Sequence, residues 1–68
     1  MLGLETKLMK AWEGKSARDI ADAPVTAIQG ISEGDAEKLF QAFGIKTVRD
    51  LGTNKFFRWA QSIATLAD

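Results

Sequence analysis

Ahead of three of the predicted helices a hydroxyl residue stands three positions before an aspartate, and this repeated helix-start signal constrains the fold more than any other feature. The pairs are Ser16 with Asp19, Ser32 with Asp35, and Thr47 with Asp50. At this spacing the hydroxyl accepts a hydrogen bond from an amide of the first helical turn, and the acid returns toward the cap. Glycine or proline lies between successive signals, which keeps each helix short. We therefore expect an all-α fold, a compact bundle of five to six short helices.

Apolar residues at helical spacing set the remaining boundaries of these helices. We expect helices over residues 2–12, 17–22, 25–29, 33–43, 48–51 and 55–66. Gly44 is expected to end the fourth helix in the left-handed conformation, and Gly52 is expected to close the fifth. On the last helix, Phe56, Trp59 and Ile63 share one face, and we expect them to enter the core.

The composition excludes several classes of function. The 68 residues include neither Cys nor His, so disulfides and the usual zinc and haem ligand sets are absent, and burial of apolar side chains has to stabilise the fold. We expect no enzyme, cofactor, metal or small-molecule substrate, because the acidic residues lie mostly at helix starts and form no paired site. Nine basic residues balance nine acidic ones, which removes any global attraction to nucleic acid. Without an apolar run long enough to span a membrane, we expect a complete, short cytoplasmic protein, with a piece of a larger protein as the alternative.

Residues 25–39 place a glycine-centred turn between two predicted helices. The residues that carry the pattern are Ile28, Gly30, Ile31, Ala36 and Leu39. Residues 44–51 continue as Gly-Ile-x-Thr-Val-x-Asp-Leu. On these grounds the chain resembles the helix-hairpin-helix superfamily, in particular the tandem helix-hairpin-helix domains of DNA-repair and recombination proteins, with Ser32 in place of the second hairpin glycine. The length and the lack of an internal linker predict a single domain, 1–68, and we expect the N-terminal helices of 1–23 to pack on a helix-hairpin-helix-like core over 24–68.

The resemblance also implies non-sequence-specific DNA binding, in which backbone amides of the hairpin and of the next helix start hold a phosphate. The residues that this function implies are Gly30, Ile31, Ser32 and Gly34 in the cradle, with Lys38, Lys46 and Arg49 as nearby cations. Glu33 and Asp35 occupy the same first turn and would repel a second anion. The alternative is that the turn only fixes the angle between two packed helices.

The last predicted helix indicates a different function. Its apolar residues cover more than one side, so a domain this small leaves some of them exposed. We expect mainly a non-catalytic interaction module that binds a protein partner or a second copy through this helix, with Trp12, Phe57 and Leu66 in the interface. DNA binding is the alternative, and an accessory subunit of an enzyme is a third. The basic residues that fit either a phosphate-contacting surface or an ordinary solvated face are Lys46, Arg49, Lys55 and Arg58.

Overall fold

Four α-helices and two 3-10 helices form the described part of the chain, residues 7–68 of a computed structural model. The α-helices are α1 (Ala17–Ala21), α2 (Glu33–Phe43), α3 (Val48–Thr53) and α4 (Lys55–Ala67). The 3-10 helices are Lys10–Trp12 and Val25–Ala27. The all-α class is confirmed. The predicted five to six helices become four α-helices over residues 7–68, because the third predicted helix and the described part of the first form only 3-10 turns.

Side-chain caps open the α-helices at the predicted positions. At the start of α2, the Ser32 hydroxyl accepts the Asp35 amide at 3.1 Å, and the Asp35 carboxylate accepts the Ser32 amide at 3.2 Å. Thr47 and Asp50 form the same capping box at the start of α3. Gly44 ends α2 with φ at +71°, a left-handed conformation that glycine adopts without a steric penalty. The cap signals therefore predict both ends of α2 correctly.

The first predicted helix is wrong over its described part, because the backbone there pairs with a distant segment. The Met9 amide donates to the Ala27 carbonyl at 2.7 Å, and the Gln29 amide donates to the Lys7 carbonyl at 2.8 Å. These bonds use backbone groups that a continuous helix would need for itself, and only a 3-10 turn follows. The other predicted positions of that helix, 2–6, lie outside the described residues.

The core of the described residues is small and centres on the segment between α1 and α2. Its buried apolar residues are Leu8, Ile20, Ala23, Val25, Ala27 and Ile45. Backbone hydrogen bonds also join the segment between α1 and α2 to the residues around the start of α3. The Val25 amide donates to the Lys46 carbonyl at 3.1 Å, and the Val48 amide donates to the Ala23 carbonyl at 2.9 Å. Thus α3 is attached to the core through the residues that precede and open it.

Asn54 connects α3 to α4 and gives α4 its direction. Its backbone is extended, with φ at −64° and ψ at 127°, and its side-chain oxygen accepts the amides of Phe56 at 2.9 Å and Phe57 at 3.3 Å. Gly52 was expected to close the preceding helix, but it lies inside α3, which continues to Thr53. The bend therefore comes from the extended Asn54 and not from the glycine.

Candidate interaction surface

The apolar face of α4 is exposed along its whole length. We call it the α4 seam: Phe56, Trp59, Ile63 and Leu66, separated by three, four and three positions. This is the spacing of one helix face that packs against another helix. The four residues are 51%, 59%, 67% and 86% exposed, and each residue from 58 to 68 is exposed. The expectation that the first three enter the core is therefore wrong.

Aromatic rings join the α4 seam to the end of α2. The Phe43 ring lies 6.4 Å from that of Phe56, and it contacts Phe57 edge-on at 5.3 Å. Phe56 contacts Trp59 in the same edge-on manner, with 5.9 Å between ring centroids. Edge-to-face pairs at these distances are favourable. They hold the first turn of α4 on the body of the protein, while the later turns extend beyond it.

Charged groups are distributed unevenly along α4. Lys55, at its start, places its ammonium 5.2 Å from the centre of the Phe56 ring and 6.0 Å from that of Trp59. These are cation–π distances. Arg58 follows within the first turn, and the only acidic residue of 55–68 is Asp68, at the opposite end. The first turn also carries the positive end of the helix dipole, so the α4 seam is positive at one end and negative at the other.

The predicted phosphate cradle is an exposed turn whose hydrogen bonds are partly used within the chain. Gly30 has φ at +101°, and a Cβ built there meets no atom within 4 Å. The amides of Ser32 and Asp35 donate to each other's side chains in the capping box. The amides of Glu33 and Gly34 lie in the first turn, where a helix offers no acceptor of its own. The carboxylate of Asp35, which accepts the Ser32 amide, therefore adds a negative charge to the helix start at which an anion would bind.

The structure separates the three cations predicted to assist the cradle. Lys38 lies one turn into α2 and acts electrostatically on Asp35. The Lys46 ammonium lies 5.1 Å from the centre of the Phe40 ring. The Arg49 Nε donates to the carboxylate of Asp22 at 3.1 Å, across to the end of α1. Lys38 and Lys46 thus lie near the start of α2, Lys46 in a groove that Glu33 and Gly34 also line, whereas Arg49 pairs with the end of α1.

A groove of about 400 Å³ runs beside α2. Its lining residues are Val25, Glu33, Gly34, Ala36, Glu37, Phe40, Ile45 and Lys46. The two carboxylates in this set, Glu33 and Glu37, outnumber the single ammonium of Lys46. The groove therefore presents no surplus of positive charge to a phosphate.

The capping boxes also set the protonation of two aspartates. The backbone amide of Ser32, and then its hydroxyl, lower the pKa of the Asp35 carboxyl below its ordinary value of 3.8. The backbone amides of Lys46 and Thr47 lower the pKa of Asp50 in the same way. Hydrogen bonds donated to a carboxylate favour its charged form. Both caps are therefore charged at neutral pH, and the negative charge of Asp35 remains at the hairpin.

The three residues predicted for a protein interface lie in different surroundings. Leu66 is the most exposed member of the α4 seam. Phe57 is half-buried, edge-on against Phe43. Trp12 is half-buried at the end of its 3-10 helix, and it takes no part in the ring contacts found among residues 7–68. Sequence reasoning missed Trp59 as an exposed residue, although the spacing of the α4 seam indicates a partner helix as readily as a core.

Comparisons of this chain with protein-family models, with curated proteins and with solved structures found no match. Within residues 7–68, no helix combines the length and the apolar character that crossing a membrane requires.

Proposed function

We propose that the protein is an interaction module that binds another polypeptide helix along the α4 seam. The observation that carries the proposal is the exposure of four large apolar side chains in a single row on a helix that the described residues pack only at its first turn. Scattered apolar residues on a surface need no explanation, but a continuous row of this kind marks a binding surface.

The length of α4 supports the same function. With 13 residues, α4 is about 20 Å long, and isolated helices of this length are marginal in water. Helices in proteins gain most of their stability from packing an amphipathic face, and only the first turn of α4 is packed here. A second helix on the α4 seam would supply the missing packing. The 3-4-3 spacing favours a helix over an extended strand as the partner.

The helix-hairpin-helix resemblance supports a second candidate function, DNA binding through the hairpin. The observation in its favour is the open turn at Gly30, beside the amides of Glu33 and Gly34. Shifts of these amide resonances on addition of duplex DNA at low salt, lost as salt is raised, would support it. Unchanged resonances would reject it. Because Asp35 keeps its negative charge at this helix start, we rank DNA binding below the binding of a helix.

Site-specific photo-crosslinking tests the proposed function. A photoreactive amino acid replaces Ile63 on the α4 seam in one sample and Gln61, exposed on the opposite side of the same helix, in a control sample. In extracts of the cells that produce the protein, we expect a discrete crosslinked polypeptide from position 63 and none from position 61. Equal labelling from both positions, or labelling from neither, would contradict the proposed function.

A further inference from the structure

We infer that the helix bound by the α4 seam is the α4 seam of a second copy, paired antiparallel across a twofold axis that crosses the α4 seam midway between Trp59 and Ile63. The inference rests on the proposed function and adds the identity and the direction of the bound helix. Twofold pairs are the commonest homo-oligomers, and each copy then uses the same surface. Three properties of α4 indicate that the bound helix belongs to a second copy and that it runs antiparallel.

The first property is the order of side-chain sizes along the α4 seam. Phe56 and Trp59 form an aromatic half, and Ile63 and Leu66 form an aliphatic half. In an antiparallel pair each aromatic residue faces an aliphatic residue of the other copy, so every layer has a similar volume. In a parallel pair two Trp59 rings would share one layer and two Ile63 side chains another, which would crowd the first layer and underfill the second.

The second property is the charge polarity of α4. Lys55 lies over the rings at the start of the α4 seam, where the helix dipole is also positive. Parallel pairing would bring two Lys55 ammonium groups and two positive helix ends together. Antiparallel pairing instead places Lys55 of each copy near the negative helix end of the other, where Asp68 also lies. The charges of one copy are thus complementary to those of the second.

The third property is the size of the exposed apolar surface. The exposed fractions of the α4 seam and of the adjoining Phe43, 46% exposed, correspond to on the order of 600 Å² per copy. Two copies would bury about 1,200 Å² together, the lower limit of specific protein interfaces. The stem of Lys55 and the flanking Ala60 and Ala67 add to this area. The α4 seam is therefore large enough for a reversible dimer without any second protein.

Sedimentation of the purified protein from micromolar to millimolar concentration tests the pairing. We expect a monomer–dimer equilibrium, with Trp59 fluorescence shifting to shorter wavelength as the dimer forms. Trp12→Phe removes the only other tryptophan, so that the signal comes from Trp59 alone. We expect Ile63→Asp to weaken dimerisation at least a hundredfold, and Gln61→Asp, which introduces the same side chain and charge on the opposite side of α4, to change it less than threefold.

Single cysteines test the direction of the pairing, because the chain has no cysteine of its own. Position 60 flanks the α4 seam beside the proposed axis, whereas the two copies of position 67 would lie roughly 20 Å apart in an antiparallel pair. Disulfides need Cα atoms within about 7 Å. We expect Ala60→Cys to form a disulfide-linked dimer under mild oxidation, and Ala67→Cys to remain largely monomeric. Equal behaviour of the two variants in a protein that dimerises would overturn the inference, because parallel pairing puts the two copies of either flanking position on opposite sides of the α4 seam.

The remaining outcomes separate this inference from the proposed function. A purified protein that stays monomeric at millimolar concentration, yet crosslinks to another polypeptide from position 63, would overturn the self-pairing and support the proposed function. A dimer that survives Ile63→Asp would use another surface and would also overturn the self-pairing. A monomer with no crosslink from position 63 would overturn both.

Discussion

The same truncation at two isoleucines, Ile45→Ala and Ile63→Ala, should destabilise the folded monomer strongly at position 45 and hardly at all at position 63. Ile45 is 2% exposed, and Ile63 is 67% exposed. Truncating a buried isoleucine removes its transfer free energy and leaves a cavity, together about 3 kcal/mol. A domain of this length has a total stability of roughly 3–10 kcal/mol. Ile45→Ala should therefore remove a large part of the stability and lower the melting temperature by roughly 15 °C.

Ile63→Ala should leave the unfolding free energy of the monomer within about 0.5 kcal/mol of the original value. Two small effects oppose each other here. The truncation loses contacts at a mostly solvated position, and alanine favours the helical conformation more than isoleucine does. The comparison therefore tests burial directly, because the atoms removed are identical at the two positions.

Urea unfolding followed by far-UV circular dichroism, at a protein concentration low enough to keep the chain monomeric, measures both changes. The dilution matters because dimer formation adds stability by mass action. At higher concentration, Ile63→Ala should lose the part of the stability that depends on concentration. A loss of several kcal/mol from Ile63→Ala in the dilute sample would refute the reasoning, since it would mean that α4 packs on its own chain.

Two further predictions concern the ends of the helices. Gly44→Ala should destabilise the fold by about 1 kcal/mol, because the φ of +71° at Gly44 disfavours an L side chain. Gly52→Ala should stabilise the fold by about 0.5–1 kcal/mol, because Gly52 lies inside α3 and an added Cβ there meets no other atom. Calorimetric melting of both variants checks the opposite signs. Asp35 and Asp50 have lower pKa values in the folded protein than in the unfolded chain. Their carboxylates therefore contribute fully to the stability of the fold above pH 3.8, and this contribution is lost as the pH falls through the pKa values of the folded state. Stability measured by urea unfolding should therefore fall in acid, and the double variant Asp35→Asn and Asp50→Asn should fall less; an unchanged acid loss would contradict this origin.

Local signals in the sequence predict the helices that depend on local bonds. The helix Glu33–Phe43 is predicted at both ends because its cap, its acid and its terminal Gly44 are all within hydrogen-bonding reach of that helix. The start of α3 is predicted for the same reason. Its end is not, because a glycine stops a helix only when it adopts a positive φ, and the extended Asn54 ends α3 two residues after Gly52.

Pairing between distant segments could not be predicted from helical spacing. The apolar stripe before Trp12 fits a helix, but the amide of Met9 donates to the carbonyl of Ala27, 18 positions later. A stripe records which side of a segment is apolar and says nothing about which segment supplies its hydrogen bonds. The α4 seam shows the same limit. The spacing of Phe56, Trp59 and Ile63 identifies an apolar face. Whether that face packs into the core of its own chain depends on how much space the core has for it.

The space left in the core also explains why the largest side chains lie outside it. Three buried residues at alternate positions of the described chain, Ala23, Val25 and Ala27, have small side chains. Because they are small, the backbone of this segment comes close enough to hydrogen-bond with the backbones of Met9, Lys46 and Val48. A core built by such close backbone approach has little room for a ring the size of Trp59. Placing the aromatic residues on α4 keeps the core small and leaves apolar area for a second helix. Binding and stability are then coupled, because whatever covers the α4 seam also supplies packing that the chain does not provide for itself.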